Sequence, residues 1–573
     1  MSHVPDEVLV TRALNYTRRM HMPTYMGLRL LAQQFPNNPK SNLIDNFVRY
    51  KLERGTDPGF QEFKILKSMA DKTIYRDAWI GSPSEMLVET WLLKQLESLT
   101  SSRNVYSYLW PSTVASGEIY HYFITGYADR NQRIEALLSR GDDDLVVYIS
   151  DVERFYPRVS HEVLRTRVHR LFGEALSPDI QRGAMQVVES LLALNGELGI
   201  PIGPPLSHWL GHVAMSDVDD VLGMEFGNTY FRYVDDIVIV CTMAESLRVA
   251  EQVEGALCRE GLTLNHDKTM IISSQEWLRG YRQTTALAEM GSTFNELVEN
   301  LIGYFVRHTE DERTHVKGLF RNRGFSMPFF SIESRMKYNR FLAWLGYRIS
   351  SGKLRRWLSV EEMLRMATRL RQGLVSEFEA TTSDVFSGGM DRRWYVQRMR
   401  FLLGRLLYML PISEYKSVRD LVPDMPELRP FKVLMQSLLD RTPETMYELG
   451  GQLASVFATI WRENELGMTK VDLDAITPAH FDTIQVLLLY GVYEVDKLNP
   501  NMSKKQYLSY MFCSGRAFNL RELDDLSYID ELNSLQLGTS SAEFKKLLDS
   551  RFNRYEDYWW RPFDFAGLDE YSY

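Results

Sequence analysis

The chain is poor in cysteine, in long apolar runs and in net positive charge, and each shortage excludes something. Its 573 residues hold three cysteines, Cys241, Cys258 and Cys513, with no CxxC spacing among them. That rules out a cysteine-only zinc site and a disulfide framework, so reduced core residues in a cytoplasmic protein are expected. No uninterrupted apolar stretch reaches spanning length, and the opening MSHVPDEVLVTRALNY lacks a basic segment followed by an apolar core. A soluble protein with no membrane partner is the expectation. Lys and Arg number 66 against 75 Asp and Glu, for a net charge of -9. Any nucleic-acid site must then be a local basic surface rather than a global field. What is present is ample apolar material, 45% of residues, enough at this length to bury two or three cores.

The most informative stretch is TYFRYVDDIVIV, residues 229 to 240. Apolar runs on either side of Asp235-Asp236 predict a tight β-hairpin with two carboxylates at its tip. Their mutual repulsion at the lip of a sheet is what a divalent cation would offset, while a plain Asp-Asp turn fits the same text. Upstream, Leu145 to Ile149 reads as a buried strand ending at Asp151, with Phe155 and Tyr156 shortly after it. Ser177-Pro178 predicts a helix start and Asn195-Gly196 its end. GIPIGPPLSHWLGHVAM then begins as a Gly/Pro loop and becomes a helix near Ser207, with Gly203 able to let a ligand approach the backbone, or to serve only as a rigid connector. ESLRVAEQVEGALCREG has helical periodicity, and GLTLNHDKTMII reads as a loop into a strand carrying Lys268. The order predicts an α+β sheet with helices on one face, with Asp151 and Asp235 on adjacent strands if the first strand pairs with the hairpin. Residues 1 to 100 read as mainly helical scaffold, and the aromatics and arginines of 103 to 140 read first as a core with a solvated face and second as a base-stacking surface.

Asp151 with an aromatic five residues on, the GIPIGPPLS loop, the YVDD hairpin and GLTLNHDKT stand in the order and approximate spacing of the palm of a reverse transcriptase. The chain resembles that family over about residues 103 to 275. The FYPRVS wording after Asp151, and a long helical C-terminal region without RNase H or integrase text, look most like the prokaryotic phage-defence reverse transcriptases of the abortive-infection type. The resemblance implies a right-hand polymerase fold of α+β fingers and palm, followed by a mainly α-helical, repeat-like C-terminal region. It implies Asp151 and Asp235 as shared ligands of two Mg²⁺ ions, with Mn²⁺ as an alternative, Asp236 as a second-line carboxylate, and Lys268 as the group that neutralises departing pyrophosphate. By the same likeness Tyr156, beside Phe155, lies under the incoming sugar and favours dNTPs, and Gly203, Pro204 and Ser207 contact nucleotide and template. No clear basic finger motif is present, so Arg130 and Arg133 are taken as the triphosphate contacts. For the primer-grip motif of the family the candidates are LIGYF at 301 to 305, WLGYR at 344 to 348, or neither.

Three regions are expected: fingers and palm with a helical N-terminal part over 1 to 300, a basic helical thumb-like or connecting region over 301 to 410, and a helical domain over 411 to 573. The middle region carries twenty Lys and Arg against ten Asp and Glu, a surface suited to a phosphate backbone, and Ser359/Glu362 reads as a capping box. Thr442-Pro443 and Thr477-Pro478 each read as a helix start. The expected activity is RNA-directed or template-independent DNA synthesis in antiviral defence, with RNA, DNA and dNTPs as partners. The likeness also allows a non-coding RNA, a protein partner, a homo-oligomer, and a protein primer among tyrosines such as Tyr555, Tyr558, Tyr571 and Tyr573. The competing readings are an RNA-dependent RNA polymerase and a non-catalytic binding scaffold.

Overall fold

A computed structural model of the chain describes residues 6–35, 42–55, 59–97, 99, 104–110, 117–121, 123–140, 144–334, 358–383, 389–471, 478–495, 503–516 and 527–550. It opens with three helices, α1 (Asp6–Met20), α2 (Met22–Gln33) and α3 (Leu43–Arg54). A two-stranded antiparallel hairpin follows, β1 (Phe60–Met69) and β2 (Thr73–Gly81), an exception within a span that is otherwise helical as expected. Gln61, Phe63 and Ile65 are buried while Glu62 and Lys64 between them are half-exposed, a period of two that a helix cannot accommodate. Leu66 pairs with Tyr75 and Ser68 with Ile74, so Lys67 is an extra residue in a bulge. Helix α4 (Pro83–Leu96) starts at Ser82, whose hydroxyl accepts from the Glu85 N–H, with Pro83 in the first turn.

After α5 (Phe123–Leu138) comes β3 (Leu145–Asp151), then a short helix α6 (Phe155–Arg158) and α7 (His161–Ala175). The expected helix after Ser177 is α8 (Pro178–Ala193), and the Gly/Pro loop leads into α9 (Pro205–Ala214) and α10 (Ser216–Phe226). Strands β4 (Tyr230–Tyr233) and β5 (Asp236–Thr242) form the expected hairpin, followed by α11 (Ser246–Arg259) and β6 (Met270–Ser273). The four strands make one antiparallel sheet in the order β4-β5-β3-β6. The first strand does pair with the hairpin, placing Asp151 opposite Asp236.

Both faces of this sheet are covered, which corrects the expectation of helices on one face. Tyr148, Ile237 and Ile239 join the large core built with α7 to α11. Val147, Ile149, Phe231, Val238 and Val240 form a second cluster with Ile134 and Leu138 of α5, Trp277 and Trp394. The reason is legible in IVIV itself, since a continuous apolar run has two faces to bury.

Helix α12 (Ser274–Arg307) is 34 residues long. It contains LIGYF, so that motif is helical here, and the division at 300/301 falls within it. Beyond it are α13 (Glu310–Asn322), α14 (Phe329–Ser334), and two long helices, Val360–Thr382 and Gly389–Met409, that pack on α12. Ser359 and Glu362 form the expected capping box. Pro443 opens a 3-10 turn before the helix Gly450–Glu463, and Pro478 opens the helix Pro478–Leu489. The C-terminal region also has a parallel strand pair, Thr469–Val471 with Tyr493–Val495. It packs back on α2 and β1, so the first and last described helices share one core. No helix among the described residues is long and apolar enough to cross a membrane. WLGYR and the four C-terminal tyrosines lie outside the described residues.

Candidate active site

Two carboxylates and one lysine meet where β3 ends. The Lys268 ammonium lies 3.0 Å from Asp151 Oδ2, and the Asn265 amide donates to the same oxygen at 3.2 Å. The backbone holds this arrangement: Asn265 N–H donates to the Asp151 carbonyl at 2.8 Å, and Val152 N–H to the Asp235 carbonyl at 3.1 Å. Asp235 occupies the two-residue turn between β4 and β5. Val234 before it has φ +55°, a strained value for a β-branched residue. The Arg232 guanidinium keeps the turn in that shape, donating to the Val234 carbonyl at 2.7 Å while it grips both oxygens of buried Asp219. A second strained residue, Arg154 at φ +51°, lies on the Asp151 side.

Electrostatically the pair is short of positive charge. Burial, then the charge of Asp151, push the Asp235 carboxyl up to about 8. Burial also raises Asp151, against the opposing effect of Lys268. Hard carboxylate oxygens crowded this way suit a divalent cation that brings its own waters and phosphate oxygens. No set of three or more metal-binding side chains converges among the described residues, and Asp236 is engaged elsewhere. Its carboxylate meets the Arg130 guanidinium at 2.5 Å, and Arg130 is buried, with its guanidinium over the rings of Tyr127 and Tyr233. Asp151 and Asp235 therefore fit a metal pair, and Asp236 is held by α5.

The other expected contacts lie around this pair. Arg130 is committed to Asp236 rather than open to a triphosphate. Arg133 is exposed on α5 with its guanidinium over Tyr106. Gly203, at φ +113°, does admit a close backbone, but that of Trp79, whose carbonyl oxygen would lie 2.3 Å from an added Cβ. Trp79 N–H also donates to the Ile202 carbonyl at 2.7 Å, so β2 is docked on this loop. Pro204 is buried at the start of α9, and Ser207 is fully buried with no partner for its hydroxyl among the described residues. Phe155 is buried against α9, and the Tyr156 hydroxyl lies 3.1 Å from His208 Nδ1.

Sequence reading missed three contributors. Buried Glu89 of α4 accepts the Leu206 N–H at 3.0 Å, anchoring the first turn of α9, and burial raises its carboxyl well above the usual range. Lys67, the bulge residue of β1, has its ammonium lowered by burial and then by the charges of Arg76 on β2 and of Lys268, which lie within electrostatic reach. The alternation in FQEFKI and the ADKT turn were the available signals for that hairpin.

Residues 86–312 match the family model described as reverse transcriptase (RNA-dependent DNA polymerase). That span contains Asp151, Asp235, Asp236 and Lys268. The chain carries a reverse transcriptase domain. It is thus an enzyme of the RNA-directed DNA polymerase class, a DNA nucleotidyltransferase. The reverse transcriptase match stops short of the β1–β2 hairpin. No curated protein matches the chain. Among solved structures, the telomerase of Candida albicans, in complex with a TWJ fragment of telomeric RNA, is 11% identical, covering 70% of this chain and 69% of that one at a TM-score of 0.28. Apo telomerase from Candida tropicalis is also 11% identical, covering 73% of each chain at a TM-score of 0.29.

Proposed function

We propose that the chain extends a DNA strand by adding dNTPs at the Asp151–Asp235 site, within a right-hand arrangement in which β1–β2 serves as fingers and the four-stranded sheet as palm. The observation that carries this reading is the meeting of Asp151, Asp235 and Lys268 where β3 ends. Asp151 and Asp235 would hold two Mg²⁺ ions, which supply a deprotonated primer hydroxyl and charge neutralisation at the triphosphate. Lys268 can lend a proton or its charge to departing pyrophosphate. Lys67 and Arg76 replace Arg130 and Arg133 as the triphosphate contacts in this reading. Tyr156 stays as the residue that discriminates against the ribose 2′-hydroxyl.

The biological setting we propose is prokaryotic antiviral defence, on the FYPRVS resemblance and the helical C-terminal half. Templated copying of RNA and untemplated synthesis from a protein primer are the two modes within it. Incorporation of labelled dNTPs with Mg²⁺, before and after RNA removal and with and without protease, tests both. Protease-sensitive label that persists without RNA means untemplated, protein-primed synthesis; product that disappears with RNA means templated synthesis. Incorporation by Asp235→Ala equal to wild type would overturn the proposal.

A further inference from the structure

The back of Tyr156 is held by a chain of hydrogen bonds that reaches the first helix of the protein. The His208 imidazole, 1% exposed, lies between two phenols, with Nδ1 3.1 Å from Tyr156 Oη and Nε2 3.0 Å from Tyr16 Oη. Tyr16 Oη is also 2.6 Å from the Gly203 carbonyl oxygen. A carbonyl only accepts, so the single Tyr16 hydroxyl hydrogen goes to Gly203, and Tyr16 must accept from His208. Burial keeps the imidazole neutral, its pKa lowered to about 3. The proton therefore sits on Nε2, Nδ1 is bare, and Tyr156 is the donor to it. Every hydrogen in the series Tyr156, His208, Tyr16, Gly203 points one way.

The ring of His208 is fixed in its plane as well. Tyr108 stacks on it at 4.0 Å between centroids and 15° between planes, and Tyr120 meets its edge at 6.2 Å. Tyr120 in turn donates to the Pro205 carbonyl at 2.9 Å. Tyr108 takes φ +50° at this position, a backbone cost that the stacked arrangement must offset. Such an enclosure holds the His208 ring between the two hydroxyls, with Nδ1 toward Tyr156 and Nε2 toward Tyr16.

We infer that His208 is a positioning residue for sugar selection: it sets the tilt of the Tyr156 ring, and so how strictly the site rejects a ribose. The inference rests on the proposed role of Tyr156. His208 touches no reacting group and acts through the Tyr156 hydroxyl.

The test is the ratio of kcat/KM for a dNTP to that for the matching rNTP, which is independent of the fraction of protein that folds. Tyr156→Ala should collapse the ratio. Tyr156→Phe and His208→Phe should each lower it about five- to tenfold, the scale of one lost hydrogen bond, chiefly through a lower KM for the rNTP. The double variant should match either single one, since both remove the same bond. His208→Asn, whose amide oxygen can accept near the Nδ1 position, should keep most of the ratio. A collapsed ratio in Tyr156→Ala with an unchanged one in both Tyr156→Phe and His208→Phe would overturn the inference while leaving Tyr156 as the selecting residue. An unchanged ratio in Tyr156→Ala would overturn the reading of Tyr156 and the inference with it.

Discussion

At the hairpin turn Asp235 has a carboxyl short of counter-charge, whereas Asp236 beside it ends on a buried guanidinium, so the two respond differently to substitution. Asp235→Ala removes a carboxyl that the fold itself pushes toward protonation, so its melting temperature should be unchanged or higher while dNTP incorporation falls to background. Asp236→Ala strands the Arg130 charge in the core, a loss of about 3–5 kcal/mol by the usual cost of an orphaned buried ion. Its melting temperature should fall, and the Arg130→Met, Asp236→Leu pair should recover most of it. Parallel melts and incorporation assays separate the two; equal losses of stability would contradict this division. Asp151, Asp235 and Lys268 were legible because each sits in a local text of strand, turn or loop. The Arg130 contact was not, because 106 residues separate it from Asp236 and nothing in either local pattern names the partner.

The elements divide the same way. Strands β3 and β5 and helices α8, α9 and α11 announce themselves through unbroken apolar runs, Pro-led starts and a 3.6-residue period. The β1–β2 hairpin does not, because its alternating face is short and its tip is polar. Its bulge matters for the proposed chemistry: one extra residue leaves Lys67 out of the ladder, within electrostatic reach of Arg76 and Lys268. Lys67→Ala should therefore raise the KM for dNTPs about tenfold, the scale of one charge-assisted contact, with kcat little changed and the melting temperature within a degree or two of wild type. Deleting Lys67 closes the bulge while Leu66 stays opposite Tyr75 and Ser68 opposite Ile74. The deletion should raise the KM as Lys67→Ala does with the hairpin intact, which steady-state kinetics and thermal melts on both variants would show. A KM unchanged in Lys67→Ala would remove Lys67 from the triphosphate contacts.

At the scale of the molecule, the C-terminal half holds that hairpin. Arg429 donates to the carbonyls of Met69 and Ala70 at its tip, Glu448 accepts from Thr73 and Tyr75, and Asp482 accepts the Lys64 N–H at 2.8 Å. None of these pairings can be read from sequence, since they join segments more than 350 residues apart. Asp482 makes the grip pH-dependent. Burial pushes its carboxyl up to about 7, whereas in the unfolded chain it titrates near the ordinary value of about 4. Below both values it is protonated in either state and costs nothing. As pH rises between them the unfolded chain releases a proton that the folded one keeps, so stability falls, reaching its full loss above the folded value. Glu85, raised to about 7 by burial, adds a loss of the same sign. Asp482→Asn keeps an acceptor for Lys64 N–H without a charge to bury. Its melting temperature should match wild type near pH 4, then exceed it increasingly from pH 5 to pH 8, with wild type and variant both retaining the shallower slope due to Glu85. A gap that is constant across this range would mean that Asp482 is ionised throughout, and that the hairpin is held by a charge rather than by a neutral acid.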